Sequence, residues 1–328
     1  MAGAHTIAVT EDEAELRLDR WFKRHFPELA HGRLEKLLRT GQVRLDGRRA
    51  AAGDRVAPGQ QVRVPPLGEP STPRPATADV AVRPADRAML RNALLYQDDD
   101  IIVIDKPAGL AVQGGTGTGR HLDGMLGALA EGGERPRLVH RLDRDTSGAL
   151  ALARNARAAA FLAAAFRGKD VRKAYWAIVV GVPKPRQGRI DLPLAKLMAR
   201  GAERVVSDED GQRAVTFYRT IAHAGGKLAW LALEPLTGRT HQLRAHLAAI
   251  GTPILGDGKY GGAAAHPPGV PNARRLHLHA RALALPRRGG RAITVTAPLP
   301  QHMRETFAFF GFSEGDERDP FAGLAGDG

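Results

Sequence analysis

The chain has 328 residues, no cysteine, and 48 Lys and Arg against 35 Asp and Glu, a formal net charge of +13. Its length suffices for two domains with a sizeable core, and disulfide and thiolate chemistry are excluded. The longest uncharged apolar run, "AAAFLAAAF" at 158–166, is too short to span a bilayer, and the first ten residues lack the apolar core of a signal peptide. A cytoplasmic protein with no membrane partner is expected. An isoelectric point of about 10.6 is the electrostatic footprint of a nucleic-acid binder, although arginine-rich usage from a GC-rich genome produces the same bias.

A first module is expected over 15–66. Leu18, Trp21 and Phe22 stand at i, i+3 and i+4, one face of a helix. A second helix over about 31–40 carries an apolar stripe of Leu34, Leu37 and Leu38 beside a basic one of Arg33, Lys36 and Arg39. Gly41 follows as a C-cap. "QVRLDGRRA" reads as a strand, an Asp-Gly turn and a return, and Val62 and Val64 alternate along another strand. Residues 16–66 hold 12 Lys and Arg against 5 Asp and Glu, or +7, a charge suited to a phosphate backbone. The whole stretch resembles an S4-type RNA-binding domain, which implies that Arg33, Lys36 and Arg39 face RNA.

Residues 67–88, rich in Pro, Ala and Thr, read as a linker. A second domain is expected over 89–312 and a disordered tail over 313–328. In the second domain "IIVI" (101–104), "GALALA" (148–153), "YWAIVV" (175–180), "AVTFYRTI" (214–221), "LAWLALE" (228–234) and "AITVTA" (292–297) read as strands. Helices are expected at about 155–167 and 241–250. Mostly consecutive strands with few helices predict an α+β domain around a mixed or antiparallel sheet.

The chemistry concentrates in "HRLDRDTSG", His140 to Gly148. Asp143, flanked by Arg141 and Arg144, can serve as a nucleophile, a general base or half of a salt bridge. Rival sites are weak. "GGTGTGRH" at 114–121 lacks the Lys-Ser/Thr of a phosphate loop. His241 and His246 do not form a zinc-binding H-E-x-x-H, and no nucleophile elbow surrounds Ser147.

"RLVHRLDRDTSGALALARNARAAAFLAAAF" resembles the central motif of the RluA-type pseudouridine synthases, H-R-L-D-x-x-T-S-G. The blocks "IIVIDKPAGLAVQGG" (101–115), "VRKAYWAIVVG" (171–181), "LEPLTGRTHQLRAHLAAIGTPILGDGKYG" (233–261) and "RLHLHARALALP" (275–286) resemble the family's others in order. The resemblance implies an α+β enzyme that isomerises uridine in RNA to pseudouridine with no metal and no cofactor. It implies Asp143 as the nucleophile, Tyr175 as the group managing a proton, and Arg239 as the cation paired with Asp143. Arg141 would enter the RNA where the target base leaves the stack. His140 would hold the loop or touch RNA, Leu278 would lie beneath the uracil, and Lys106 would be structural or contact phosphate. Gly148 would permit close backbone approach. With the S4-type module, the chain resembles the large-subunit ribosomal RNA branch, most closely its RluC-like members. This implies 23S ribosomal RNA as partner and a monomer. Two alternatives stay open: a synthase of the same family acting on transfer RNA, and a catalytically silent RNA-binding or ribosome-assembly factor.

Overall fold

The computed structural model describes residues 4–29, 31–67, 82–114, 119–130, 132–199 and 202–324. The chain divides into two compact units, 1–78 and 79–328.

In the first unit β1 (His5–Ala8), β2 (Arg44–Leu45), β3 (Arg48–Arg49) and β4 (Gln61–Val64) form an antiparallel sheet in the order β1-β4-β2-β3. The helices α1 (Leu18–His25) and α2 (His31–Arg39) complete the unit. The apolar faces read from the sequence form its core: Leu18, Trp21, Phe22, Leu34, Leu37, Leu38, Val62 and Val64 are all buried. Asp46 and Gly47 both take positive φ (48° and 77°), the geometry that a two-residue hairpin turn demands. The unit starts earlier than residue 15. β1 adds an edge strand, and the buried Glu13 is a hub of hydrogen bonds. Its carboxylate accepts hydrogen bonds from the Thr10 amide (3.1 Å) and the Trp21 indole (3.0 Å) and meets His25 at 2.6 Å. Burial raises the pKa of Glu13, but these partners outweigh it and hold the group at about 2.

In the second unit β5 (Leu94–Gln97), β6 (Ile101–Lys106), β7 (Arg137–Leu138), β8 (Ser147–Ala153), β9 (Arg172–Val180), β10 (Gln187–Asp191), β13 (Val215–Ala224), β14 (Leu228–Pro235), β15 (Leu278–Arg287) and β16 (Gly290–Thr296) build one mixed sheet. Its order is β10-β13-β14-β9-β15-β8-β6-β5, with β7 on β8 and β16 on β15. Only β8 and β15 run parallel. A separate hairpin, β11 (Leu194–Ala199) and β12 (Ala202–Ser207), sits between β10 and β13 in sequence. The helices are α3 (Pro84–Asn92), α4 (Ala156–Gly168), α5 (Gln242–Ala249), the single turn α6 (Gly258–Gly261) and α7 (Gln301–Phe310). Every residue of β8 and of β14 is buried, as in strands covered on both faces. Asn155 caps α4 by accepting the Ala158 amide at 2.8 Å, and Lys169 in left-handed conformation ends it. The α+β class with a mixed sheet is as expected. No helix of the described residues is long and apolar enough to cross a membrane.

Two boundaries need correction. The expected linker, 67–88, gives way to α3 at Pro84: a proline opens the helix, Leu90 is buried, and Asp86 pairs with Arg83 (2.8 Å) and Arg120 (2.7 Å). Residues 68–81 of that linker lie outside the described residues. The expected tail, 313–328, is ordered through Leu324. Its acids meet arginines of the sheet, Glu317 with Arg219 and Glu314 with Arg281 at 3.0 Å. Phe321 lies under the Arg172 guanidinium at 4.6 Å, and Leu324 joins the core of Trp176, Trp230 and Phe307.

Candidate active site

Four neighbouring strands bring the site together. β9 lies between β14 and β15, so Tyr175 is flanked by Leu233 on one side and Ala280 on the other. Ala280 in turn faces Gly148 across the parallel pair, so the loop before β8, carrying Asp143, stands at the same end of the sheet. β14 ends at Pro235, and the segment 236–241 leads from there into α5. These pieces wall a cleft of about 580 Å³, lined by His140, Arg141, Asp143, Phe166, Lys173, Tyr175, Arg239, His241, Arg244 and Leu278 among others. Its lining carries six Arg and Lys side chains and one carboxylate, Asp143.

The Asp143 loop is held from behind. Thr146 donates its amide to the Asp143 carbonyl (3.2 Å), and the Gly109 amide donates to the Arg144 carbonyl (2.8 Å). Lys106 is fully buried, and its ammonium donates to the carbonyls of Pro107 (2.9 Å), Leu110 (2.9 Å) and Arg144 (3.0 Å). An ammonium has three protons, and all three are used. The expected phosphate contact is therefore corrected: Lys106 rivets the Asp143 loop to the 107–110 turn and has no donor left for RNA. Burial pulls its pKa down to about 8, while Asp145, Asp143 and Asp105 hold it up, so it stays a cation at neutral pH.

His140 fixes the other end of the loop. The Ala151 amide donates to its Nε2 at 2.8 Å, and its ring stacks on Phe166 at 4.3 Å. A ring nitrogen that accepts an amide proton is unprotonated, so the imidazole is neutral. Burial, with the charge of Lys173 adding, lowers its pKa to about 3. The unfolded value is near 6.5, so this contribution to stability is complete above that pH. It is lost as pH falls from 6.5 toward 3, at about 1.4 kcal/mol per pH unit. His140→Gln is expected to flatten the pH dependence by about that much, measured by denaturant unfolding at about pH 7.5 and 5.5. A variant with the wild-type slope would mean that the ring is not held neutral.

Opposite Asp143, Gln242 pins the incoming segment. Buried at the start of α5, it accepts from the Arg239 amide (3.1 Å) and from Thr237 Oγ1 (2.7 Å), and donates to the Val215 carbonyl (2.9 Å). His241 takes a left-handed backbone (φ 53°), a conformation uncommon for a side-chain-bearing residue. Its Nε2 lies 3.9 Å from Asp143 Oδ2, and its Nδ1 shares a hydrogen bond with the Tyr260 hydroxyl at 2.8 Å. The expected ion pair of Arg239 with Asp143 is not formed. Arg239 instead donates to the Arg213 carbonyl at 3.1 Å on the exposed side of the cleft.

Arg244 is the basic residue that the sequence reading passed over. It is buried, forks onto the fully buried Asp257 at 2.8 and 2.7 Å, and its guanidinium lies 5.1 Å from the Tyr260 ring centre. Its charge is opposed by burial but held by Asp257, with Asp143 adding, and the balance raises its pKa. "QLRAH" resembles an ordinary helical turn. The available signal was Asp257 in "LGDGKYG", an acid among glycines.

Leu278 is buried at the start of β15, with Tyr175 packed against the same apolar cluster, and both line the cleft as its apolar floor. Burial, with the Asp143 charge adding, pushes the Tyr175 phenol well above its ordinary pKa, so it is neutral at physiological pH. Arg141 is exposed on the rim. In the first unit Lys36 and Arg39 are exposed and Arg33 half-buried. Ser147 and His279, 2.9 Å apart, are both buried in the sheet beneath the loop, with no carboxylate partner.

The chain matches the RNA pseudouridylate synthase family over residues 100–249. It is 33% identical over 293 residues to the ribosomal large subunit pseudouridine synthase C of Rickettsia bellii, covering 87% of this chain and 95% of that protein. It is 43% identical over 216 residues to an uncharacterized RNA pseudouridine synthase of Zymomonas mobilis, covering 65% of this chain and 96% of that protein. Among solved structures, human RNA pseudouridylate synthase domain containing 4 superposes with a TM-score of 0.59 at 32% identity, over 69% of this chain and 95% of that one. Sequence likeness along nearly the whole of a relative and a shared catalytic-domain fold agree: the chain belongs to the RNA pseudouridylate synthase family and is an RNA pseudouridine synthase.

Proposed function

We propose that the cleft isomerises uridines of large-subunit, 23S ribosomal RNA, with Asp143 as the nucleophile. The observation that carries the reading is a lone carboxylate set among six cations at the mouth of an apolar floor. Such a cleft attracts a polyanion, admits one flat neutral base, and presents one group able to attack it. Pseudouridine formation breaks the N1–C1′ bond and joins C5 to C1′; the hydrogen lost from C5 is matched by one gained at N1, so no co-reactant is consumed. The Asp143 carboxylate attacks ribose C1′ or uracil C6. Tyr175 enters as a neutral phenol beneath the base, on the floor shared with Leu278. Arg244 supplies the buried positive charge facing Asp143, with Arg239 and Arg141 on the exposed side for the RNA backbone and the space vacated by the base. His140 positions the loop. The first unit, with Arg33, Lys36 and Arg39, adds RNA affinity as an S4-type domain. The large-subunit assignment draws support from the Rickettsia relatives, whose names carry that substrate.

The test is a map of pseudouridines in RNA from a strain lacking the gene, complemented with wild type or Asp143→Ala. Specific 23S positions should vanish and return only with wild type. Loss confined to a transfer RNA would keep the enzyme and refute the substrate. Restoration by Asp143→Ala would refute the nucleophile.

A further inference from the structure

Among the described residues four of the six cations of the cleft have side chains without a partner, and of these Lys173 alone is half-buried rather than exposed. Lys173 stands on β9 two residues before Tyr175, on the same face of the strand, and lines the cleft. Its backbone belongs to the β9–β15 ladder, but among the described residues its ammonium makes no hydrogen bond and no ion pair. Glu234, the carboxylate whose charge reaches it, is taken by the Arg172 guanidinium through bonds of 2.8 and 2.9 Å. Arg141, Arg167 and Lys169 also lack a partner but are exposed to solvent, and the other basic groups nearby are taken. Arg244 is forked onto Asp257, Arg239 donates to a carbonyl, and Lys106 is saturated by three. A partly desolvated ammonium without a partner works against folding. A structural role would be filled by a neutral side chain at lower cost. The cation therefore suits an anion that arrives with the substrate.

We propose that Lys173 binds a phosphodiester oxygen of the RNA in the cleft and so anchors the backbone of the target nucleotide. Residues two apart on a strand are about 7 Å apart, a span comparable to that between a nucleotide's phosphate and its base. A phosphate at Lys173 therefore sets the base over Tyr175 and within reach of Asp143. A nucleotide turned out of its stack rotates about its backbone, so a fixed phosphate at that point defines where the base lands. The inference rests on the reading of this cleft as the uridine site.

The test uses the full chain and tritium release from C5 of uridine, in labelled RNA isolated from cells lacking the gene. Lys173→Gln should raise the half-saturating RNA concentration about tenfold at low salt, the loss of one charge-assisted bond. Its maximal rate should stay near wild type. The salt dependence of binding should weaken by about 0.7 in logarithmic slope, the value for one phosphate on a single strand. Lys173→Arg should restore most of the affinity. Lys173→Met keeps the packed stem and carries the measurement if the glutamine loosens the fold. Wild-type affinity and salt slope in the neutral variants, with Asp143→Asn inactive, would overturn the anchor and leave the cleft reading intact. So would a loss confined to the maximal rate. An active Asp143→Asn would overturn the cleft reading itself.

Discussion

Asp143→Asn is expected to lower the maximal rate of uridine isomerisation by about 10⁴-fold or more, while RNA binding is kept or tightened. The amide has the shape of the carboxylate but neither its charge nor its nucleophilicity. The surroundings should hardly respond, because the loop is held by the Lys106 ammonium, by the Gly109–Arg144 backbone bond and by the His140–Ala151 bond, none of which uses the Asp143 side chain. Its one ion-pair contact among the described residues is the loose 3.9 Å approach of His241. Folding stability should therefore stay within about 1 kcal/mol of wild type. Affinity should not fall, since the variant removes the single negative charge from a cleft that meets a polyanion. Single-turnover kinetics beside equilibrium binding separates the two effects. A rate within tenfold of wild type would remove Asp143 from the chemistry, and a parallel loss of binding would recast it as a loop support.

Much of this arrangement was legible in the residues, and the exceptions have physical causes. Apolar runs such as "GALALA" and "LAWLALE" gave the central strands because a strand covered on both faces needs no polar alternation. The polar hairpin of β11 and β12 offered no such signal. α7 was hidden because "QHMRETFAFF" opens after prolines with no side-chain cap. The choice between Arg239 and Arg244 could not be made from "GRTHQLRAH". Both precede or enter a helix, and every residue from Gln242 to Leu247 is buried, so α5 has no exposed polar stripe to mark which way a cation points. Lys106 was misread because a lysine in a polar turn normally faces water. Only the fold shows three carbonyls converging on it. The acidic stretch after 313 has the composition of a solvated tail, and its order depends on arginines far away in sequence.

Gly148→Ala is expected to cost about 4 kcal/mol or more of stability and to remove activity from whatever fraction folds. Gly148 has φ +112°, and a Cβ there would stand 2.2 Å from the Ala280 carbonyl oxygen and 2.7 Å from its amide nitrogen. These are backbone atoms of the adjacent strand, so no side chain can swing aside. The collision falls on the β8–β15 pairing, where only two residue pairs join the strands, His279 with Ser147 and Ala280 with Gly148. Relief requires the strands to part, and that moves the Asp143 loop away from Tyr175 and Leu278, which stay with β9 and β15. Gly289→Ala is the control. Its φ of +71° is in the left-handed region that alanine enters at modest cost, and a Cβ there meets nothing within 4 Å. It should cost only the backbone preference, about 1–2 kcal/mol, and leave the isomerisation rate unchanged. Denaturant unfolding of both variants sets the cost at Gly148, collision and backbone together, against that of a left-handed turn alone. Equal losses would mean that β8 and β15 can separate without penalty, and that the registry placing Asp143 opposite Tyr175 is not set by this glycine.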